Sequence, residues 1–410
     1  MKKWILYFVF LFSAYGFTLE WDIGFDFQYG VFSYIDKSYT MMNFFPNFKF
    51  DNLYISIGLN FSFETNGDFL FDDWKNWKAI FSKGVNSINF HKEGFFLEIE
   101  KMDNISFEGG IVKIFNPSRF YPFYFYPSML VGFTNNFLES IFFTENIFDF
   151  DILIFNFDLK PLFFFIDNIF KESSIILNFG FDLDPFNQSF NMNYTFDDYF
   201  TNFNVFLYSF GVNLPLLKNN FFFFSLNSFF SGIYSKGKTL SFGLDSLLFN
   251  VVFLKFKYGI CEERYMPNYL DIFYDLERQN RMKILDEIDK SYNYMSINSG
   301  VSLFEKMLEI GLEYKQEYRK EGLGDAYFYV RVDKKYFKVL DLKIRYYRKN
   351  LLDINDFWLM YDKISDFSIK TDFYMSERII FGFEYIYFFH DLMAKDLKNN
   401  FVYMSISAIL

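Results

Sequence analysis

The chain of 410 residues is poor in side chains that carry out covalent chemistry. Its histidines are His91 and His390, and its one cysteine is Cys261. A His beside a carboxylate, as in His390-Asp391, can act as a general base, but no nucleophile motif accompanies this pair. Neither histidine stands at a metal-ligand spacing, and no Gly-rich phosphate loop occurs. Cys261 ends an apolar run, where a thiol serves as a small hydrophobe. Catalysis, a bound metal and a cofactor are therefore not expected, and a single cysteine permits no intramolecular disulfide.

Charged residues with a regular spacing point elsewhere. In "LEWDIGFDFQYGV", Glu20, Asp22, Asp26 and Gln28 alternate with Leu19, Trp21, Ile23, Phe25 and Phe27. A period of two describes a strand with one wet face and one apolar face. Charges placed this way do not converge on a reacting atom; they line a surface. The pattern returns with Asn60 and Glu64 in residues 53–64, and with Asn178 and Asp182 in residues 175–184. Later in the chain the polar parity carries Glu309, Glu313, Lys315, Arg331, Asp333, Asp341, Lys343, Arg345, Lys370, Asp372 and Glu384.

These faces need elements to hold them. The sequence is 51% hydrophobic with 67 Phe, too apolar for disorder, and its net charge of -11 gives no support to a nucleic-acid partner. Met1-Lys2-Lys3, an apolar run from Trp4 to Phe12, and Ala14-Tyr15-Gly16 form an export signal over residues 1–16, cleaved after Gly16. That leaves one domain, 17–410. Alternating segments in it often reach the roughly 9–11 residues that a tilted membrane strand needs. Read backward from the end, long connections at 390–399, 349–365 and 319–325 alternate with short turns at 376–378, 334–335 and 305–306. Membrane barrels show this asymmetry. The fold expected is all-β, a closed antiparallel transmembrane β-barrel of about 18–22 strands. Its first strand, at Leu19, should pair with its last, at Phe401, because a sheet within hydrocarbon cannot keep a free edge. Between residues 66 and 170 the period is broken and strand limits are not legible.

In architecture, and in its last strand "FVYMSISAIL", the chain resembles the porin-like outer-membrane β-barrel proteins of bacteria. The resemblance covers nearly all of the mature chain and rests on no diagnostic motif. It implies residence among outer-membrane lipid and folding by the barrel-assembly machinery, and is compatible with a homo-oligomer. One departure is the final residue, Leu410, where such proteins commonly end in an aromatic.

On this reading Glu20, Asp22, Asp26, Glu64, Asp182, Glu309, Glu313, Arg331, Lys343, Arg345, Lys370 and Glu384 line a pore. Acidic residues of the early strands and basic residues of 326–348 should face each other across it and sort solutes by charge. An outer loop at 262–290 should contain a helix, N-capped by Asn268, with Leu270, Phe273, Leu276, Leu285 and Ile288 on one side. Glu277 with Arg281, and Asp286 with Lys290, would pair along it. The loop either constricts the mouth or stands outside as a contact surface. Three functions fit: a channel for small hydrophilic solutes, a transporter of hydrophobic compounds, or a surface adhesin or structural barrel with a closed lumen. The first is preferred.

Overall fold

The computed structural model describes residues 21–409, apart from 35–36, 65–66, 68–83, 103–104, 114–126, 149, 166–167, 184–204, 220, 272–273, 305, 320–323, 353, 359–363, 377 and 393–394. The export signal and Glu20 thus lie outside the described residues. Alternating sequence becomes long strands at the start: β1 (Trp21–Tyr34), β2 (Lys37–Phe50), β3 (Leu53–Ile57) and β4 (Leu59–Glu64). Shorter strands follow where the period is broken: β5 (Val85–Lys92), β6 (Phe95–Glu100), β7 (Ser128–Thr134), β8 (Leu138–Thr144), β9 (Ile152–Leu159) and β10 (Ser174–Asp182). The next group is β11 (Val205–Lys218), β12 (Phe222–Ile233), β13 (Lys238–Leu248), β14 (Val252–Cys261), β15 (Tyr292–Leu303) and β16 (Leu308–Glu317). The last are β17 (Gly324–Val332), β18 (Leu340–Leu351), β19 (Ser365–Tyr374), β20 (Ile379–Leu392) and β21 (Lys395–Ile409). Among the described residues the α-helices are α1 (Tyr274–Glu287), between β14 and β15, and the single turn α2 (Lys334–Phe337), between β17 and β18, with short 3-10 turns at Ile169–Glu172 and Ile354–Trp358.

Apart from β3 and β4, each strand pairs antiparallel with its neighbour in sequence, with β5 on β3, and β1 closes the ring on β21 from Gly24 opposite Ile409 to Ser33 opposite Asn400. β2 pairs with both β3 and β4, so these are two halves of one stave broken at Gly58. The result is a closed antiparallel barrel of twenty staves.

Connection lengths orient it. At the end that holds both termini, seven of nine connections have two to four residues; at the other end five of ten have 13 to 30. One expected long loop is absent: residues 390–399 are mostly strand, because β20 and β21 continue as a hairpin with Leu392 opposite Lys395. Polar sequence there reads as loop, yet a two-stranded extension beyond a membrane needs no apolar face.

The outward parity is apolar. Ile23, Phe27, Val31, Phe44, Ile57, Ile310, Leu312 and Met404 are all exposed, as is Ile406 at 42%. The inward neighbours Gly24, Gly30, Phe32, Asn43 and Asn47 are buried. An apolar shell around a polar interior is what a barrel in lipid requires. Replacing Ile406 by Arg should therefore cost about 2–4 kcal/mol, while Gln28→Arg on the inner face costs far less. Urea unfolding in lipid vesicles measures both; equal costs would contradict the assignment of faces.

Candidate functional site

Two loops from the long-connection end fold into the barrel. The first lies between β6 and β7 and is described at 101–102 and 105–113. Its turn is built on Gly109 and Gly110, whose φ values of +104° and +77° lie where a side chain is strained. A Cβ on Gly109 would also strike Ser209, so only glycine lets the backbone come this close to the wall. Asn178 of β10 donates to the Glu108 carbonyl at 2.5 Å, and Ser231 of β12 donates to the Gly109 carbonyl at 2.7 Å.

The second loop, between β14 and β15, lies alongside the first. Leu270 N–H donates to Ile111 at 3.0 Å and Lys113 N–H donates to Leu270 at 2.9 Å, forming a short parallel bridge. Helix α1 follows, favoured by a run of Leu, Glu, Arg, Gln, Met and Lys. It starts later than expected, and Asn268 is no cap: it has φ +58° and sits in the loop. Tyr274, Glu277, Arg278, Arg281, Met282 and Leu285 are buried along one stripe, whereas Lys283, Asp286 and Glu287 are exposed. The buried face is thus half charged: Leu270, Leu285 and Ile288 of the expected apolar stripe are buried, but Glu277, Arg278 and Arg281 are buried with them, and Phe273 and the Leu276 side chain lie outside the described part.

Those charges clip the helix across the lumen. Arg278 is 2.6 Å from Asp182 of β10, which also accepts from the Tyr274 hydroxyl. Glu277 meets Arg281 at 3.0 Å and Lys349 of β18 at 2.5 Å. Arg281 also meets Asp271 and the Tyr269 carbonyl. Of the two expected helix pairs, Glu277–Arg281 forms, but Asp286 pairs with Lys236 at 2.6 Å. Burial works against charge on Arg278, and Asp182, Glu145 and Asp151 outweigh it, holding the guanidinium above its ordinary range. Because β10 and β18 stand eight staves apart in a ring of twenty, Glu277 and Arg278 of α1 link two well-separated walls across the interior. Tyr274, Met282 and Leu285 of α1 join Tyr265, Tyr269 and Leu270 of the loop and Phe143, Ile152, Ile154 and Leu207 of the wall in an apolar cluster.

Beside this constriction lies a cavity of about 280 Å³. Phe107, Glu108, Gly109, Gly110 and Lys113 of the first loop form one side, and Asn227, Asp245, Lys255, Lys257, Ser296 and Glu313 of β12–β16 form the other. Lys113 pairs with Glu313, and Lys315 meets Glu317 at 2.9 Å and Asp325 at 3.1 Å. Burial pushes the Glu108 carboxyl above its usual range, opposed by Lys255.

Other residues singled out in the sequence spread around the wall. Asp26 accepts from Asn47 at 2.8 Å, Glu64 pairs with Lys37 at 3.1 Å, and Glu309 accepts from Tyr329 at 2.8 Å. Arg345 donates to Ser368 at 3.1 Å, and Arg331 is 3.6 Å from Asp333. Register sets Glu309, Arg331, Lys343, Lys370 and Glu384 side by side in one row over five strands. Asp22 lies in β1 opposite Lys49. The expected opposition of charge does not hold for β1: closure brings it within four staves of β18, whereas opposite walls are ten apart. Glu139 of β8 and Asp158 of β9, cross-strand partners, occupy the wall facing Lys343 and Lys370. Sequence reading passed over these two, and over Glu108, Lys113, Asp245, Lys255 and Lys257. For Lys255 and Lys257 a signal existed, since "VFLKFKYGI" places both on the polar parity.

Arg278→Met leaves Asp182 buried without its cation, a loss of about 3–5 kcal/mol, and should loosen α1. Single-channel conductance should rise; an unchanged conductance would show that α1 does not set the bore. Glu108 takes up its proton at a higher pH than an ordinary glutamate. Acidification therefore removes negative charge from the cavity at a higher pH than ordinary glutamates would, and cation preference falls. Reversal potentials measure this, and Glu108→Gln should flatten the response.

No family model matches the sequence, and no curated protein does. Among solved structures the chain is similar to Pseudomonas aeruginosa OccK5 (OpdH), with 8% identity over 96% of this chain and 98% of that one, at a TM-score of 0.40. It is also similar to Pseudomonas aeruginosa OccD3 (OpdP), with 8% identity over 95% and 92% at a TM-score of 0.41. For the outer membrane protein opdK from Pseudomonas aeruginosa the values are 7%, 95%, 98% and 0.37.

Proposed function

We propose that the chain is a channel of the porin type in the bacterial outer membrane, non-enzymatic, through which small hydrophilic solutes diffuse passively. The observation that carries this is a closed barrel with an apolar outside and a charged interior, narrowed by inward loops that leave a polar cavity beside them. Twenty staves enclose more space than side chains alone can fill, since about eight already suffice for a filled interior. Export through residues 1–16 with cleavage after Gly16, and folding by the barrel-assembly machinery, belong to the same reading.

Asp22, Asp26, Glu64, Asp182, Glu309, Glu313, Arg331, Lys343, Arg345, Lys370 and Glu384 are the lining residues proposed, with Glu20 outside the described part. The basic row of β17–β19 and the pair Glu139–Asp158 on the facing wall supply the transverse field, in place of β1. The apolar cluster around α1 favours a carrier of hydrophobic compounds, but the cavity beside it is lined by lysines and carboxylates. The adhesin reading is less favoured, because α1 is folded into the barrel mouth with Tyr274, Glu277, Arg278 and Arg281 buried.

Purified protein in a planar bilayer should give discrete ohmic conductance steps. Neutralising Arg331, Lys343 and Arg345 together should move the reversal potential towards cation selectivity. Absence of any conductance from folded, inserted protein would refute the channel.

A further inference from the structure

Four charged groups around the cavity stay apart although their signs are opposite. Lys255 and Asp245 are cross-strand partners in β14 and β13, and Lys257 follows on the same face. Glu108 looks onto these lysines from the first loop. None of the four forms an ion pair among the described residues, whereas Lys113 and Lys315, in the same lining, are both committed to carboxylates. Two cations and two anions thus border a cavity of about 280 Å³. The Lys257 ammonium stands 5.0 Å from the Phe229 ring centroid, and Phe107, Val112 and Tyr294 add apolar wall.

We propose that this cavity is a binding station for small zwitterions, molecules that carry an ammonium and an oxyanion group a few bonds apart, as amino acids do. The idea builds on the channel reading and names its solute class. A lone anion would meet Glu108 and Asp245 with like charge, and a lone cation would meet Lys255 and Lys257. A zwitterion satisfies both sets at once, with its oxyanion at the lysines and its ammonium at the carboxylates. Its side chain can lie on Phe107 and Phe229. Lysine suits this role because its ammonium is a compact point charge with three donors on a flexible stem.

The test is calorimetric titration of the full chain, folded in detergent, with alanine, propionate and ethylammonium. Alanine should bind at least about tenfold more tightly than either singly charged probe, a gap of ~1.4 kcal/mol. Lys255→Met and Glu108→Gln, one on each side of the cavity, should each weaken alanine about tenfold, while Lys306→Met at a distant turn should not. The shift in gel mobility between unheated and boiled samples verifies that each variant is folded. Equal binding of propionate and alanine, or no alanine binding by folded protein, overturns the proposal. Binding without bilayer conductance would instead sustain the station and refute the channel.

Discussion

Within hydrocarbon an unpaired backbone N–H or C=O costs several kcal/mol, so every strand must have two neighbours. The pairing of β1 with β21 meets that demand, and the rest of the molecule depends on it. Closure makes the two faces of the sheet an outside and an inside. Once Ile23, Phe27 and Val31 face outward, period two sends Gly24, Asp26 and Gln28 inward without further choice. The same closure brings the ends of the chain together, which is why the acidic β1 is a near neighbour of the basic β18.

A ring of twenty leaves a wide interior, and its filling is a separate problem with its own physics. Loops entering the lumen carry backbone groups that must be paired there. The first loop pairs its carbonyls with Asn178 and Ser231 of the wall, and its strand-like edge with residues 268–270. Helix α1 satisfies its own backbone, and its N-terminal half is tied to two walls at once by ion pairs of the adjacent residues Arg278 with Asp182 and Glu277 with Lys349. Burying charges is expensive, but breaking such a pair is more so, and this gives the helix one position. A constriction held by charge also leaves its surroundings charged, hence the polar cavity beside it.

Legibility in the sequence followed this division. Alternation revealed the staves at 21–34, 53–64, 174–182 and 400–409, and the parity of Asp182, Glu313 and Arg345, because period two is a local property. The two-residue turn expected at 334–335 is a seven-residue connection that holds α2, whereas the short connections between β15 and β16 and between β19 and β20 were legible for the same reason. What joins distant segments was not. Lys113 and its partner Glu313 are 200 residues apart, and Arg278 and Asp182 are 96 apart. No pattern within residues 105–113 announces that Gly109 must pass within touching distance of Ser209. The helix was visible, and Leu270, Leu285 and Ile288 are buried as its apolar side, but the burial of Glu277, Arg278 and Arg281 was not legible, since an outer loop offers no carboxylates or lysines to receive them. The hairpin at 390–399 was missed because strands outside the membrane need not alternate.

Site-directed spin labelling of the protein in lipid vesicles probes the account most directly, with one nitroxide at each of Val31, Phe44, Gln28 and Asn43. Labels at Val31 and Phe44 should collide with dissolved oxygen, which concentrates among acyl chains. Those at Gln28 and Asn43 should collide with a water-soluble nickel chelate. Oxygen-accessible labels at all four sites, or at none, would mean that the wall does not separate oil from water, and the channel would go with it.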